Sequence, residues 1–216
     1  MQNSAFLDKE NSYYTFVNES LLPLIPERPN IVMDIGCATG RLGQKLLQAG
    51  NASELYGVEI FEPAANEAKK IYKRVHVGDI EEMKLDYKNY FDVVVCGDIL
   101  EHLKEPSKVV SEIYSWLVKG GLIVCSVPNV RYWRIWRDLI FKGKWEYTIE
   151  GIMDHTHLRF FTLSSFRKML IETSFEIEYQ GLRIANGLKQ RAFNRLTFGL
   201  FEEFFGIQML FRGRKR

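Results

Sequence analysis

Asp34 ends an apolar run, Ile31-Val32-Met33, and Gly36, Gly40 and Gly43 follow it closely. Glycine accepts positive φ and lets a ligand lie where a Cβ would collide, and the first turn of a following helix offers unpaired N–H groups. A strand, a glycine turn and a helix in that order make a cradle for something small. The spacing is D-x-G-x-x-x-G. It is neither the dinucleotide fingerprint G-x-G-x-x-G nor a phosphate loop closed by G-K-[ST]. A carboxylate before the turn and no lysine within it repel phosphate and suit an ammonium group, so the nearest polar end of the ligand reads as an amino acid. Glu59 closes a second strand-like run, residues 54–58. In a βαβ fold an acid about 20 residues beyond the glycine turn grips the two hydroxyls of a ribose.

Asp34-Ile35-Gly36-Cys37-Ala38-Thr39-Gly40, then Glu59, then Gly78-Asp79-Ile80 stand in the order of successive cofactor motifs. In this the chain resembles the class I S-adenosylmethionine-dependent methyltransferases. The resemblance implies that Asp34, Gly36, Cys37, Ala38 and Gly40 cradle the methionine part of S-adenosylmethionine. It places Glu59, with Ile60, at the ribose, and Asp79, with Gly78 and Ile80, at the adenine. Taken singly, each is also a turn glycine, a solvated acid or a helix cap; the three together carry the resemblance.

Residues 91–96, F-D-V-V-V-C, read as a buried strand that ends in Gly97-Asp98. Its tip lies across the cofactor from the glycine turn where the order of a doubly wound sheet reverses. Gly97 is therefore expected against the cofactor and Asp98 at the methyl centre. Glu101-His102 follows, but one dipeptide offers too few ligands to argue a metal site, and no metal is expected. The block from residue 130 to 161 leaves the strand–helix rhythm. With S-V-P-N-V, W-E-Y and D-H-T-H-L-R-F-F-T, it resembles methyltransferases of bacterial surface-glycan and secondary-metabolite gene clusters. That implies a small acceptor, with O-methylation of a sugar, glycan precursor or secondary metabolite preferred. A hydroxyl acceptor needs a base, and histidine titrates near neutrality. His157 is the first candidate and His155 the second, with Asp154 orienting one of them; a buried structural turn is the competing reading. Trp133, Trp136, Trp145, Tyr147 and Tyr13 are expected to wall the acceptor pocket, where Arg159 also contacts the acceptor or else pairs with a core acid.

Strands alternating with helices imply parallel pairing and right-handed crossovers, with ligand loops at the carboxyl ends of the strands. The expected fold is α/β: one domain over residues 1–216, a Rossmann-like, doubly wound, seven-stranded sheet with an antiparallel edge pair and helices on both faces. Apolar positions at helical spacing over residues 12–24 predict an N-terminal helix within a lid of residues 1–29. Residues 129–161 and 185–205 are expected as acceptor-side insertions. The second is a Phe-rich helix over 186–205, folded over the acceptor or into a homodimer contact. Strand six is expected over 175–181 and strand seven over 207–211.

A chain of 216 residues with net charge +2 has enough apolar content for one core and no basic patch that advertises nucleic acid. Arg212, Arg214, Lys215 and Arg216 read as a solvated basic tail. Cys37, Cys96 and Cys125 are too scattered for a disulfide framework or a C-x-x-C site, and the start lacks a secretory pattern. A cytoplasmic protein without membrane insertion is the expectation. The rival readings are a nicotinamide oxidoreductase, which would need the missing G-x-G-x-x-G, and a non-catalytic cofactor-binding protein.

Overall fold

The computed structural model describes Tyr14, residues 16–184 and residues 201–216. The expected pocket contact of Tyr13, and most of the helix expected over 186–205, lie outside the described residues. The chain builds β1 (Asn30–Ile35), α1 (Arg41–Gln48), β2 (Ala52–Glu59), α2 (Glu62–Ala68), β3 (Arg74–Val77), β4 (Phe91–Gly97), α3 (Pro106–Trp116) and β5 (Leu117–Pro128). It continues with α4 (Trp133–Lys142), α5 (Leu163–Glu172), β6 (Phe175–Ile184), α6 (Glu202–Phe205) and β7 (Gly206–Lys215). The strands form one seven-stranded sheet in the order β3-β2-β1-β4-β5-β7-β6. Pairing is parallel from β3 to β5, and β7 runs antiparallel to both of its neighbours.

The central strands are apolar on both faces because both faces are covered. Val93 and Val95 of β4 join Val32, Leu122 and Val124 on one side, beneath α1, α2 and Leu21 and Leu24. Val94 and Cys96 point the other way, joining Met33, Ile123 and Cys125 against Val110, Ile113 and Trp116 of α3 and Phe166 and Leu170 of α5. Alternate residues of a strand face opposite sides, so a continuous Val/Ile run serves two layers at once. β1 and β4 are neighbours whose connections leave in opposite directions. Their carboxyl ends therefore open the crevice in which such sheets bind ligands.

Some element bounds differ from expectation. Of the helix expected over 12–24, residues 12, 13 and 15 lie outside the described residues and Tyr14 is helical, while Glu19–Leu24 form a separate short 3-10 helix that starts from an Asn18 cap and contains Pro23. Proline has no N–H to donate and ends such a segment early. The Lys119-Gly120-Gly121 stretch lies inside β5, where the register against β4 shifts. The basic tail is not a free terminus: β7 runs on through Lys215, Arg212 pairs with Glu178 at 3.1 Å, Arg214 pairs with the same carboxylate, and Lys215 donates to the Leu117 carbonyl. All three cysteines are buried and free. No helix among the described residues is long and apolar enough to cross a membrane.

Candidate active site

The loop after β1 is held from both neighbouring strands. The N–H groups of Gly36 and Cys37 both donate to the Val58 carbonyl, at 2.8 and 3.1 Å. Ala38 donates its N–H to Glu59 Oε2 at 2.9 Å, and Phe61 donates to Glu59 Oε1 at 2.8 Å. Glu59 is thus locked against the glycine turn, with lone pairs to spare on a carboxylate that accepts about four hydrogen bonds. Burial raises its pKa, opposed by those backbone N–H groups. Gly40 has φ +81°, a conformation that favours glycine, and leads directly into α1. One turn further on, a Cβ at Gly43 would lie 2.5 Å from the Tyr72 hydroxyl. The missing side chain lets Tyr72 reach in and donate to Asp34 Oδ2 at 2.6 Å. Burial lifts the Asp34 carboxyl to about 6; the Tyr72 hydrogen bond opposes the rise and the Glu59 charge adds to it. Beside them Gly78 donates its N–H to the Glu59 carbonyl, and Asp79 Oδ1 accepts the Glu81 N–H.

These groups line one side of a cavity of about 1090 Å³, which continues past Asp98 to Glu101, His102, Asp154 and His157. Pockets for a single small ligand run to about 300–1,000 Å³. Asp98 sits just past β4 at φ +53°. Its carboxylate accepts from Gln208 Nε2 of β7 at 2.5 Å and from Asn18 Nδ2 at 3.2 Å. Burial raises its pKa and these hydrogen bonds pull it back. Glu101 belongs to the 3-10 turn Leu100–His102 and is 1% exposed. Burial, and then the neighbouring Asp98 charge, drive its carboxyl well above the usual range.

The strap Thr156-His157-Leu158-Arg159 closes this corner. Leu158 and Arg159 donate their backbone N–H groups to the Glu101 carbonyl at 2.8 and 2.9 Å, and the Thr156 carbonyl meets His102 Nδ1 at 3.2 Å. His157 then packs edge-on against His102, with ring centroids 4.7 Å apart, and its Nε2 stands 4.0 Å from Glu101 Oε1. One nitrogen of each histidine and one Glu101 oxygen lie within 4.8 Å of one another, a spacing that could hold a metal ion.

A glycine loop, a buried acid closing β2 and an acid after β3, in an order that reverses between β1 and β4, are the features of a nucleoside-binding α/β sheet. A family described as "Methyltransferase domain" matches residues 10–180. The chain belongs to the class I S-adenosylmethionine-dependent methyltransferases. Among its relatives, the ubiquinone biosynthesis O-methyltransferase of Psychrobacter cryohalolentis is 24% identical over 152 residues, 67% of this chain and 58% of the relative. The malonyl-[acyl-carrier protein] O-methyltransferase of Halalkalibacterium halodurans is 27% identical over 153 residues, 58% of this chain and 56% of the relative. The chain thus spans a little over half the length of these curated relatives. Two solved structures share its fold. An S-adenosylmethionine-dependent methyltransferase from Mesorhizobium loti is 18% identical and superposes over 93% of this chain and 99% of that one, with a TM-score of 0.66. Another, from Archaeoglobus fulgidus, is 19% identical over 91% of each chain, with a TM-score of 0.65.

Of the residues expected at the site, Asp34, Gly36, Cys37, Ala38, Glu59, Ile60, Gly78, Asp79, Ile80, Gly97, Asp98 and His157 line the cavity. Gly40 shapes the turn without lining it. The other expectations are corrected. His155 is exposed and outside the cavity, its Nδ1 donating to the Thr148 carbonyl at 3.2 Å. Arg159 turns away, and its guanidinium caps the Lys104 carbonyl, with Nε at 3.0 Å. Trp133, Trp136 and Trp145 do not wall the pocket; α4 buries none of its residues, and Trp136, Phe141 and Tyr147 face solvent. The insertion reaches the cavity instead through residues 149–152, Asp154 and His157. Asn18, Arg183 and Gln208 line it too and escaped the sequence reading, since a lone amide or arginine on an edge strand carries no motif. Arg183 Nε donates to Gln208 Oε1 at 2.8 Å, which aims the Gln208 amide at Asp98.

Proposed function

We propose that the chain transfers the methyl group of S-adenosylmethionine to a hydroxyl oxygen of a small acceptor. The observation that carries this reading is the single cavity running from the Asp34–Glu59–Asp79 cradle to the Asp98–Glu101–His157 corner. The Asp34 carboxylate suits the ammonium of the methionine part, Glu59 the ribose hydroxyls and Asp79 the adenine. Transfer is an in-line displacement, so the walls must align the acceptor oxygen with the methyl carbon and exclude water. As the C–O bond forms, the bond from methyl carbon to sulfur breaks with its electrons staying on sulfur. The acceptor proton leaves into the corner of acids and histidines at the far end of the cavity.

An oxygen acceptor is favoured because the relatives named above are O-methyltransferases and because the corner is rich in groups that take protons. A sugar or glycan precursor is preferred on the resemblance of the block from residue 130 to 161. Incubation with methyl-labelled S-adenosylmethionine and separate panels of glycosides, phenols and carboxylic acids tests this. Label in a base-stable methyl ether of a glycoside is the expected product. Label only on carboxylic acids or phenols would replace the preferred acceptor class, and calorimetry showing no S-adenosylmethionine binding would end the reading altogether.

A further inference from the structure

Glu101 presents a problem that methyl transfer alone does not solve. It is 1% exposed, and among the described residues no other residue donates a hydrogen bond to either of its carboxylate oxygens. An ionised carboxylate buried without partners is costly unless a proton or a cation compensates it. More negative charge stands nearby, on Asp98 and Asp154. The nearest ring, His157, keeps its Nε2 at 4.0 Å, beyond hydrogen-bonding reach.

The two histidines are oriented by their own second partners. His102 Nδ1 faces the Thr156 carbonyl at 3.2 Å and His157 Nδ1 faces the Ile152 carbonyl at 3.0 Å. A carbonyl oxygen only accepts, so each Nδ1 carries the proton. In the neutral ring that leaves the lone pair on Nε2. A Nδ1–H donated to a backbone carbonyl is the usual means of fixing a metal-ligating imidazole. The three side chains are buried, and their donor atoms converge within 4.8 Å of one another.

We propose that Glu101, His102 and His157 bind a divalent first-row transition-metal ion, with its open positions toward the acceptor end of the cavity. Two imidazoles and one carboxylate are the donor set of a catalytic zinc site that keeps a position for an exogenous oxygen. Two nitrogen donors disfavour Mg²⁺ and Ca²⁺, which prefer oxygen ligands. The ion supplies the missing partner of Glu101. It also lowers the proton affinity of an acceptor hydroxyl placed on it, whose proton is released to water before the oxygen attacks the methyl carbon. His157 then acts as a ligand rather than as the base. That the ion serves the acceptor rests on the methyl-transfer reading; that it binds does not.

The test uses the full chain, stripped with chelator and titrated with Co²⁺. The expected result is one ion per chain with the visible absorption of low-coordinate Co²⁺, and an increased Tm with Zn²⁺ or Co²⁺ but not with Mg²⁺. Glu101→Gln and His102→Ala should each weaken Co²⁺ binding by more than the about 10–100-fold typical of losing a second-shell partner. S-adenosylmethionine binding by the same variants reports that they are folded. Stripped protein that binds S-adenosylmethionine but neither Co²⁺ nor Zn²⁺, or a folded Glu101→Gln that binds Co²⁺ as the parent does, would overturn the proposal. Co²⁺ binding without S-adenosylmethionine binding would sink the methyl-transfer reading and leave the metal site standing.

Discussion

The two ends of the cavity are built differently. At the cofactor end, Asp34, the glycine turn and Glu59 come from one β1–α1–β2 unit, fastened by hydrogen bonds such as Ala38 to Glu59, 21 residues apart. At the acceptor end the bonds join Asp98 to Asn18 across 80 residues and to Gln208 across 110, and the strap holding His157 crosses from another segment to Glu101. The first end is a local unit whose geometry follows from a turn and two strand ends. The second exists only after the insertion and β7 have docked. On the function proposed above, replacing the segments that reach Asp98 and Glu101 would change acceptor preference and leave the cofactor grip in place.

Substitutions at the two ends should separate accordingly. The largest effect is expected from His157→Ala, which removes a proton acceptor or ion ligand from the far corner: turnover should fall by about 10²-fold or more while S-adenosylmethionine affinity holds. A matching loss of affinity, measured by calorimetry, would show that the two ends are not independent. Glu59→Ala should do the reverse, weakening S-adenosylmethionine binding by about 1.5–3 kcal/mol, as for lost charged hydrogen bonds. Unchanged affinity would remove Glu59 from the ribose.

Next in size is a pH effect confined to the cofactor end. With its pKa near 6 in the unliganded protein, Asp34 is largely protonated below that pH and meets an ammonium group poorly. Affinity for S-adenosylmethionine should drop by up to about tenfold per pH unit below 6, and Asp34→Asn should flatten the profile. The same raised pKa has a stability consequence. The folded unliganded chain holds this proton more tightly than the unfolded chain, so the contribution is present below the unfolded value of 3.8 and is lost as pH rises through about 6. A melting series without ligand that shows no Asp34-dependent difference across that window would contradict the burial of this carboxyl. The smallest effect is expected outside both ends: Phe141, 81% exposed on α4, should tolerate Phe141→Ser within about 0.5 kcal/mol of stability. A larger loss on denaturant titration would mean that α4 packs against something.

Much of the fold was legible because its signals are local. The valine run of β4, the elbow at Asp34 and the acid closing β2 each owe their form to residues beside them in the chain. Gly43 was also legible as a glycine, but its reason was not. It leaves room for a tyrosine hydroxyl contributed from beyond α2. The aromatic residues of 133–147 show the opposite failure: their types suggested a pocket wall, yet Trp136, Phe141, Trp145 and Tyr147 face solvent and Trp133 is only half-buried, away from the cavity.

The sequence by itself determined the sheet and the form of the cradle, because backbone conformation and a carboxylate's charge are set within a few residues. Only the tertiary structure decided that Arg159 props a turn while His157 enters the cavity, two residues apart on one strap. It likewise set Glu101, without a partner, opposite two imidazoles. Where a side chain points at the end of a strap depends on what the strap docks against, and here that partner lies more than 50 residues away at Glu101 and Lys104.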